Sequence, residues 1–113
     1  MYNKYHNKKT IIDGISFDSK AEAARYCQLK LMVRAGIIDN LKLQPKYLLQ
    51  EAFVKNGKKI QAINYIADFE YIENGKTVIE DVKGVKTKEF SLKLKMFQYR
   101  YPDLDVKLIG GRT

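Results

Sequence analysis

The fold is decided by Ile66–Lys83, IADFEYIENGKTVIEDVK. Asn74-Gly75 sits at its centre, and a two-residue type I′ turn needs φ > 0 at both central positions, where Asn and Gly are tolerated. Phe69, Tyr71 and Ile72 precede the turn, and Thr77, Val78 and Ile79 follow it. Such β-branched and aromatic runs on either side make the stretch an antiparallel hairpin. A two-residue loop also fixes the register. Glu73 pairs with Lys76, and stepping outward places Asp68 directly opposite Asp81. Lys83, two residues further along the strand, shares that face, opposite Ile66 and diagonal to Asp68. Glu80 points the other way and is expected to be structural.

Two carboxylates opposed across a hairpin have Cβ atoms about 4.5–5.5 Å apart, and their like charges destabilise the pair. A hard divalent cation offsets that repulsion, and Mg²⁺ is commonly held by one or two carboxylates together with substrate phosphate. Lys83 adds a positive charge able to stabilise a reacting phosphate or position a water. The plain alternatives are a solvent-facing Asp68 and an exposed Asp81–Lys83 ion pair. The neighbours Tyr65–Tyr71, YIADFEY, are largely apolar or aromatic and weigh against them. A β-bulge within the hairpin would break the register on which the triangle rests.

Working outward, a second Asn-Gly turn at Asn56-Gly57 separates two further β-type runs. Lys46–Lys55, Lys58–Glu73 and Lys76–Lys83 together predict a three-stranded antiparallel meander. Upstream, Asp18–Ala35 reads as a helix closed by Gly36, with Ser19-Lys-Ala-Glu22 as a capping box and Tyr26, Leu29 and Val33 as its apolar stripe. Thr10–Phe17 is extended and broken by Asp13-Gly14, and Ile37–Leu43 is short and extended. Downstream, Lys88–Tyr101 has helical composition stopped by Pro102, and Asp105–Ile109 forms a last strand. The order α-β-β-β-α-β implies an α/β sandwich with a mixed sheet, the meander flanked by helices.

A length of 113 residues fits one domain, read as 10–113 behind a basic, flexible arm at 1–9. A core of this size is modest, so a homodimer would bury more surface. No stretch approaches the roughly 20 apolar residues of a membrane span, and the N-terminus has no signal-peptide core, so a cytoplasmic protein is expected. The single Cys27 suits a reducing compartment and is expected to pack within its helix. The formal charge of +8 favours nucleic acid as partner, since phosphate contacts release condensed counterions. Lys86 and Lys88 follow the acidic strand, and Lys93, Lys95 and Arg100 continue along the second helix. With Phe90, Leu94 and Phe97 on its core face, those cations can reach DNA phosphates.

Glu22 has two readings. It is the reciprocal partner in the capping box, or it is a carboxylate aimed along a buried stripe that something must receive, such as a metal site. His6, the only histidine, lies in the basic arm and is a poor candidate for catalysis.

The segments Ile66-Ala-Asp68-Phe-Glu-Tyr71 and Val78-Ile-Glu-Asp81-Val-Lys83-Gly84, preceded by a helix carrying Ser19-x-x-Glu22, resemble the PD-(D/E)XK nuclease superfamily. Through Asp13–Glu22, Gly36-Ile-Ile, Leu43-Gln-Pro45 and Glu80–Gly84, residues 10–108 further resemble a family of small phage-encoded proteins placed in that superfamily. The resemblance implies a restriction-endonuclease-like core and divalent-metal-dependent phosphodiester hydrolysis. It implies Asp68 and Asp81 as Mg²⁺ ligands with Mn²⁺ able to substitute, Glu22 as the helical acid completing the site, and Lys83 on the attacking water. Ala67 stands where a proline often precedes the first aspartate. The Gln-x-x-x-Tyr motif of the RecB-like branch is absent, Gln98 being followed by Pro102 at that spacing, which argues against an end-binding exonuclease. With no separate base-reading element, recognition through backbone and shape is expected. The expected activity is that of an endonuclease on branched, junction or nicked DNA, as in a Holliday junction resolvase, serving phage recombination, replication or packaging in the host cytoplasm. A non-catalytic DNA-binding module with a nuclease fold and an RNA-cleaving nuclease are the alternatives.

Overall fold

The computed structural model describes residues 9–82 and 87–110. Residues 1–8 of the basic arm, His6 among them, and Lys83, Gly84 and Lys86 fall outside the described residues.

Asp13 and Gly14, with φ of 54° and 75°, turn the first extended piece into a hairpin of β1 (Thr10–Ile12) and β2 (Ile15–Phe17). Helix α1 runs Lys20–Arg34. Ser19 caps it, its Oγ accepting from the Glu22 N–H at 3.1 Å, and Gly36 follows with φ 75°. Ala23, Tyr26 and Leu29 are buried on its inner face and Val33 half-buried, as the stripe predicts; Cys27, by contrast, is exposed.

The three long β runs are each used, but two are broken. Lys46–Lys55 becomes β4 (Lys46–Gln50) and β5 (Phe53–Lys55). Lys58–Glu73 becomes β6 (Lys58–Ile60), β7 (Ile63–Ile66) and β8 (Phe69–Glu73), while β9 spans Lys76–Val82. The pairs are β5–β6, β4–β7 and β8–β9, all antiparallel, so the runs do fold back on one another in order. They do not form one three-stranded meander. The other neighbour of β8 is β3 (Asp39–Leu43), and β10 (Val106–Ile109) lies parallel to β9, giving a mixed four-stranded sheet β10-β9-β8-β3. The break falls where the paired β3–β4 and β7–β8 segments bend together. Pro45 supplies no N–H there, and the cross-links are Gln44 N–H to the Asp68 carbonyl (2.9 Å) and Ala67 N–H to the Pro45 carbonyl (3.1 Å).

Helix α2 spans Lys88–Arg100, capped by Thr87, whose Oγ1 accepts from the Phe90 N–H at 3.0 Å. The two helices cover opposite faces of the sheet. Phe69 and Tyr71 pack with Phe17, Ala23, Tyr26 and Leu29 beneath α1. Ile79, Val106 and Leu108 point the other way, packing with Tyr65, Phe90 and Phe97 beneath α2. Phe97 is fully buried, edge-on to Tyr47 and Tyr65 at centroid distances of 5.2 and 5.6 Å. Each such pair contributes about 0.5–1.5 kcal/mol beyond area burial, which fixes the position of the Tyr65 ring.

Candidate functional site

The Asn74-Gly75 turn has φ of 53° and 75°, and the ladder beyond it runs Glu73↔Lys76 through Phe69↔Glu80 in the expected register. There the ladder stops. Asp68, one residue further, lies in a bend, and its N–H donates to the Glu80 carbonyl at 3.0 Å. Asp68 is therefore not the ladder partner of Asp81. Its carboxylate reaches along β9, where Oδ2 accepts from the Val82 N–H at 2.6 Å. Ile66, expected beside Lys83, pairs with Lys46 instead. The cause is the break at Ala67 and Asp68, between β7 and β8, where the backbone bonds to Pro45 and Gln44.

Both aspartates are nonetheless anchored at the end of β9, Asp68 on the N–H of Val82 and Asp81, the residue before it, by a side chain the hairpin register did not single out. Asp81 is buried, and the Tyr65 hydroxyl donates to its Oδ2. Burial pushes that hydroxyl up, and the bond to Asp81 and the charges of Asp81 and Asp68 push it further. It is held as a neutral donor to Asp81. Tyr65 reaches this position because β7 lies on the α2 side, where the rings of Phe90 and Phe97 pack against it. An aromatic residue three positions before Asp68 was the signal in the sequence. The pairing of β7 with β4 that aims it was not.

Glu80 is structural, as its orientation predicts. It is fully buried on the α1 face, and Arg25 grips it with a two-pronged contact, Nε to Oε1 at 2.8 Å and Nη2 to Oε2 at 2.6 Å. The Tyr71 hydroxyl donates to the same carboxylate. Burial alone would raise the Glu80 carboxyl, but the Arg25 and Tyr71 bonds outweigh it and hold the group below its ordinary value.

Glu22 is half-buried in the first turn of α1, the helix that packs on the Glu80 side of β9, whereas Asp81 faces α2. Among the described residues, no group of three or more His, Cys, Asp and Glu side chains is placed to hold a metal ion.

Beside Tyr65 a cleft of 290 Å³ opens between β7 and the start of α2, lined by Tyr65, Ile66, Thr87, Glu89, Phe90 and Lys93. Of the cations assigned to DNA on α2, Lys88, Lys95 and Arg100 are exposed. Lys93 is partly covered and paired with Glu89 at 3.3 Å. Phe90 and Phe97 are buried and Leu94 half-buried, so the helix presents the core face expected of it.

Residues 2–111 match a family described as a protein of unknown function, DUF1064. The chain belongs to the DUF1064 family. No curated protein matches it. No helix among the described residues of this DUF1064 protein is long and apolar enough to cross a membrane.

Proposed function

We propose that this protein is a Mg²⁺-dependent endonuclease hydrolysing phosphodiester bonds in DNA, on a restriction-endonuclease-like core of the PD-(D/E)XK type. The observation that carries the reading is the pair of oriented acids at the end of β9, Asp81 held by the Tyr65 hydroxyl and Asp68 held by the N–H of Val82, the residue next to Asp81, beside an open cleft. Two acids suffice for Mg²⁺, which keeps several waters and takes its remaining ligands from substrate. The bonds from Val82 N–H and Tyr65 fix the orientation of the two carboxylates, as outer partners of metal-binding carboxylates do. Asp68 and Asp81 would hold the ion, with Glu22 as a third acid. Bound there, the ion supplies Lewis-acid polarisation of the phosphate.

The chain's own groups supply the rest. Lys83, one residue past β9, orients the attacking water and balances charge developing on the phosphate. Lys88, Lys95 and Arg100 hold backbone phosphates on the exposed side of α2. Contacts of this kind read shape and charge, which suits a branched or junction substrate better than a fixed sequence. Paired copies would set two sites for paired cuts.

The test is one panel of supercoiled, linear, single-stranded and four-way-junction DNA, with RNA alongside, in Mg²⁺ or Mn²⁺. Cleavage is expected to require the metal and to be lost in Asp81→Asn and Lys83→Ala. Metal-dependent cleavage that survives both substitutions would overturn the site. Tight binding without cleavage in any metal points instead to a non-catalytic DNA-binding module, and cleavage of RNA alone to a ribonuclease.

A further inference from the structure

The β5–β6 hairpin belongs to neither core. Every residue from Gln50 to Ala62 is exposed, and among the described residues neither strand lies close to any other helix or strand. A lone two-stranded hairpin is marginal at best in water. This one also exposes Phe53, Val54 and Ile60, at 44%, 69% and 38%.

Its register is Phe53↔Ile60, Val54↔Lys59 and Lys55↔Lys58, closed by Asn56-Gly57. Phe53, Lys55, Lys58 and Ile60 therefore share one face, and Val54 and Lys59 the other. Lys55 stands directly opposite Lys58, with Lys59 adjacent, and no acid lies between Phe53 and Ile60. Like charges so placed destabilise a hairpin. Nothing within the hairpin offsets them, but a polyanion does.

Shape narrows the choice of polyanion. The major groove of B-form DNA is about 12 Å wide and admits a two-stranded β-ribbon. The corresponding groove of duplex RNA is too deep and narrow for side chains to read. We propose that the β5–β6 hairpin is an arm that enters the major groove of duplex DNA. Lys55, Lys58 and Lys59 contact the flanking phosphates, while Phe53 and Ile60, on one face of the ribbon, lie against apolar base edges such as the thymine methyl. The choice of DNA rests on the function proposed above, but the arm supplies binding and not chemistry.

The experiment is fluorescence anisotropy of a labelled DNA duplex with the full chain in EDTA, where cleavage cannot intervene, from about 50 to 200 mM salt. Lys55→Ala/Lys58→Ala/Lys59→Ala should lower the slope of log affinity against log salt by about 2–3, at roughly 0.9 per phosphate contact. The three Lys→Arg changes should restore it. Circular dichroism and melting of both variants should match the parent, because these side chains touch no core. An unchanged slope in the alanine variant overturns the arm, as does an equal slope loss on duplex RNA. So does a dimer in light scattering that Phe53→Ala/Val54→Ala returns to monomer, since the hairpin would then serve a second copy. A protein that cuts no DNA but loses slope keeps the arm and loses the nuclease; one that cuts with an unchanged slope does the reverse.

Discussion

At the scale of single residues, Glu80 and Asp81 are neighbours in sequence with opposite surroundings. Glu80 is locked by Arg25 and Tyr71 beneath α1, whereas Asp81 faces Tyr65 beneath α2. Removing one partner of a buried, hydrogen-bonded ion pair leaves the other uncompensated, at a cost of about 3–5 kcal/mol. Arg25→Ala should lose about that much in urea denaturation. The pH dependence has a definite sign. The Glu80 carboxyl is held below its ordinary 4.5 in the folded state, so its contribution is present above that value and lost as pH falls through the lower, folded one. The acid limb of the stability curve should therefore flatten in Glu80→Gln. Tyr65→Phe addresses the other neighbour. It keeps the ring packed on Phe97 and deletes the hydroxyl that orients Asp81. If Asp81 is a metal ligand, calorimetry should show Mg²⁺ affinity falling about 10–100-fold, the usual cost of losing such a partner. Unchanged affinity would reduce Tyr65 to packing.

Among elements, what could be read in advance was what local chemistry dictates. Asn74-Gly75 specified its turn and five ladder pairs because the φ > 0 requirement and the loop length involve only neighbouring residues. The bend at Asp68 was not legible, because backbone bonds from Gln44 and to Pro45 set it, more than twenty residues away in sequence. For the same reason β3 could be read as extended but not as the partner of β8. Pro45 was the available hint, since a proline inside an apparent β run marks a break. The two Asn-Gly turns now make a matched pair. Gly57 and Gly75 have φ of 76° and 75°, and a Cβ at either meets nothing within 4 Å. An alanine therefore carries only the left-handed backbone cost, about 1–2 kcal/mol. Gly75 joins two core strands, so Gly75→Ala should lower global stability by that amount. Gly57 joins strands that touch no core, so Gly57→Ala should change the melting transition by less than about 0.5 kcal/mol. Hydrogen exchange should agree, with residues 53–60 exchanging long before 69–82. Equal losses at both turns would mean that the hairpin is coupled to the body.

For the whole molecule, the formal +8 pointed to nucleic acid but not to where the charge would lie. Among the described residues, the exposed cations include Lys88, Lys95 and Arg100 on α2 and Lys55, Lys58 and Lys59 on the hairpin. Lys93, which belongs to the same helix by sequence, is instead tied to Glu89 at the cleft. Each group of three should account for about 2–3 units of salt slope on duplex DNA. How the two losses combine reports the geometry of the complex. If one duplex lies across α2 while the hairpin enters its groove, removing both groups should lower the slope by about 5, because distant phosphate contacts release counterions independently. If a duplex can reach only one group at a time, removing either leaves the other to bind, and the double variant loses more than the two single losses together. Anisotropy titrations of Lys88→Ala/Lys95→Ala/Arg100→Ala, the hairpin variant and their combination distinguish the cases. The additive result is expected, since a chain this small has little surface on which to hold two duplexes apart.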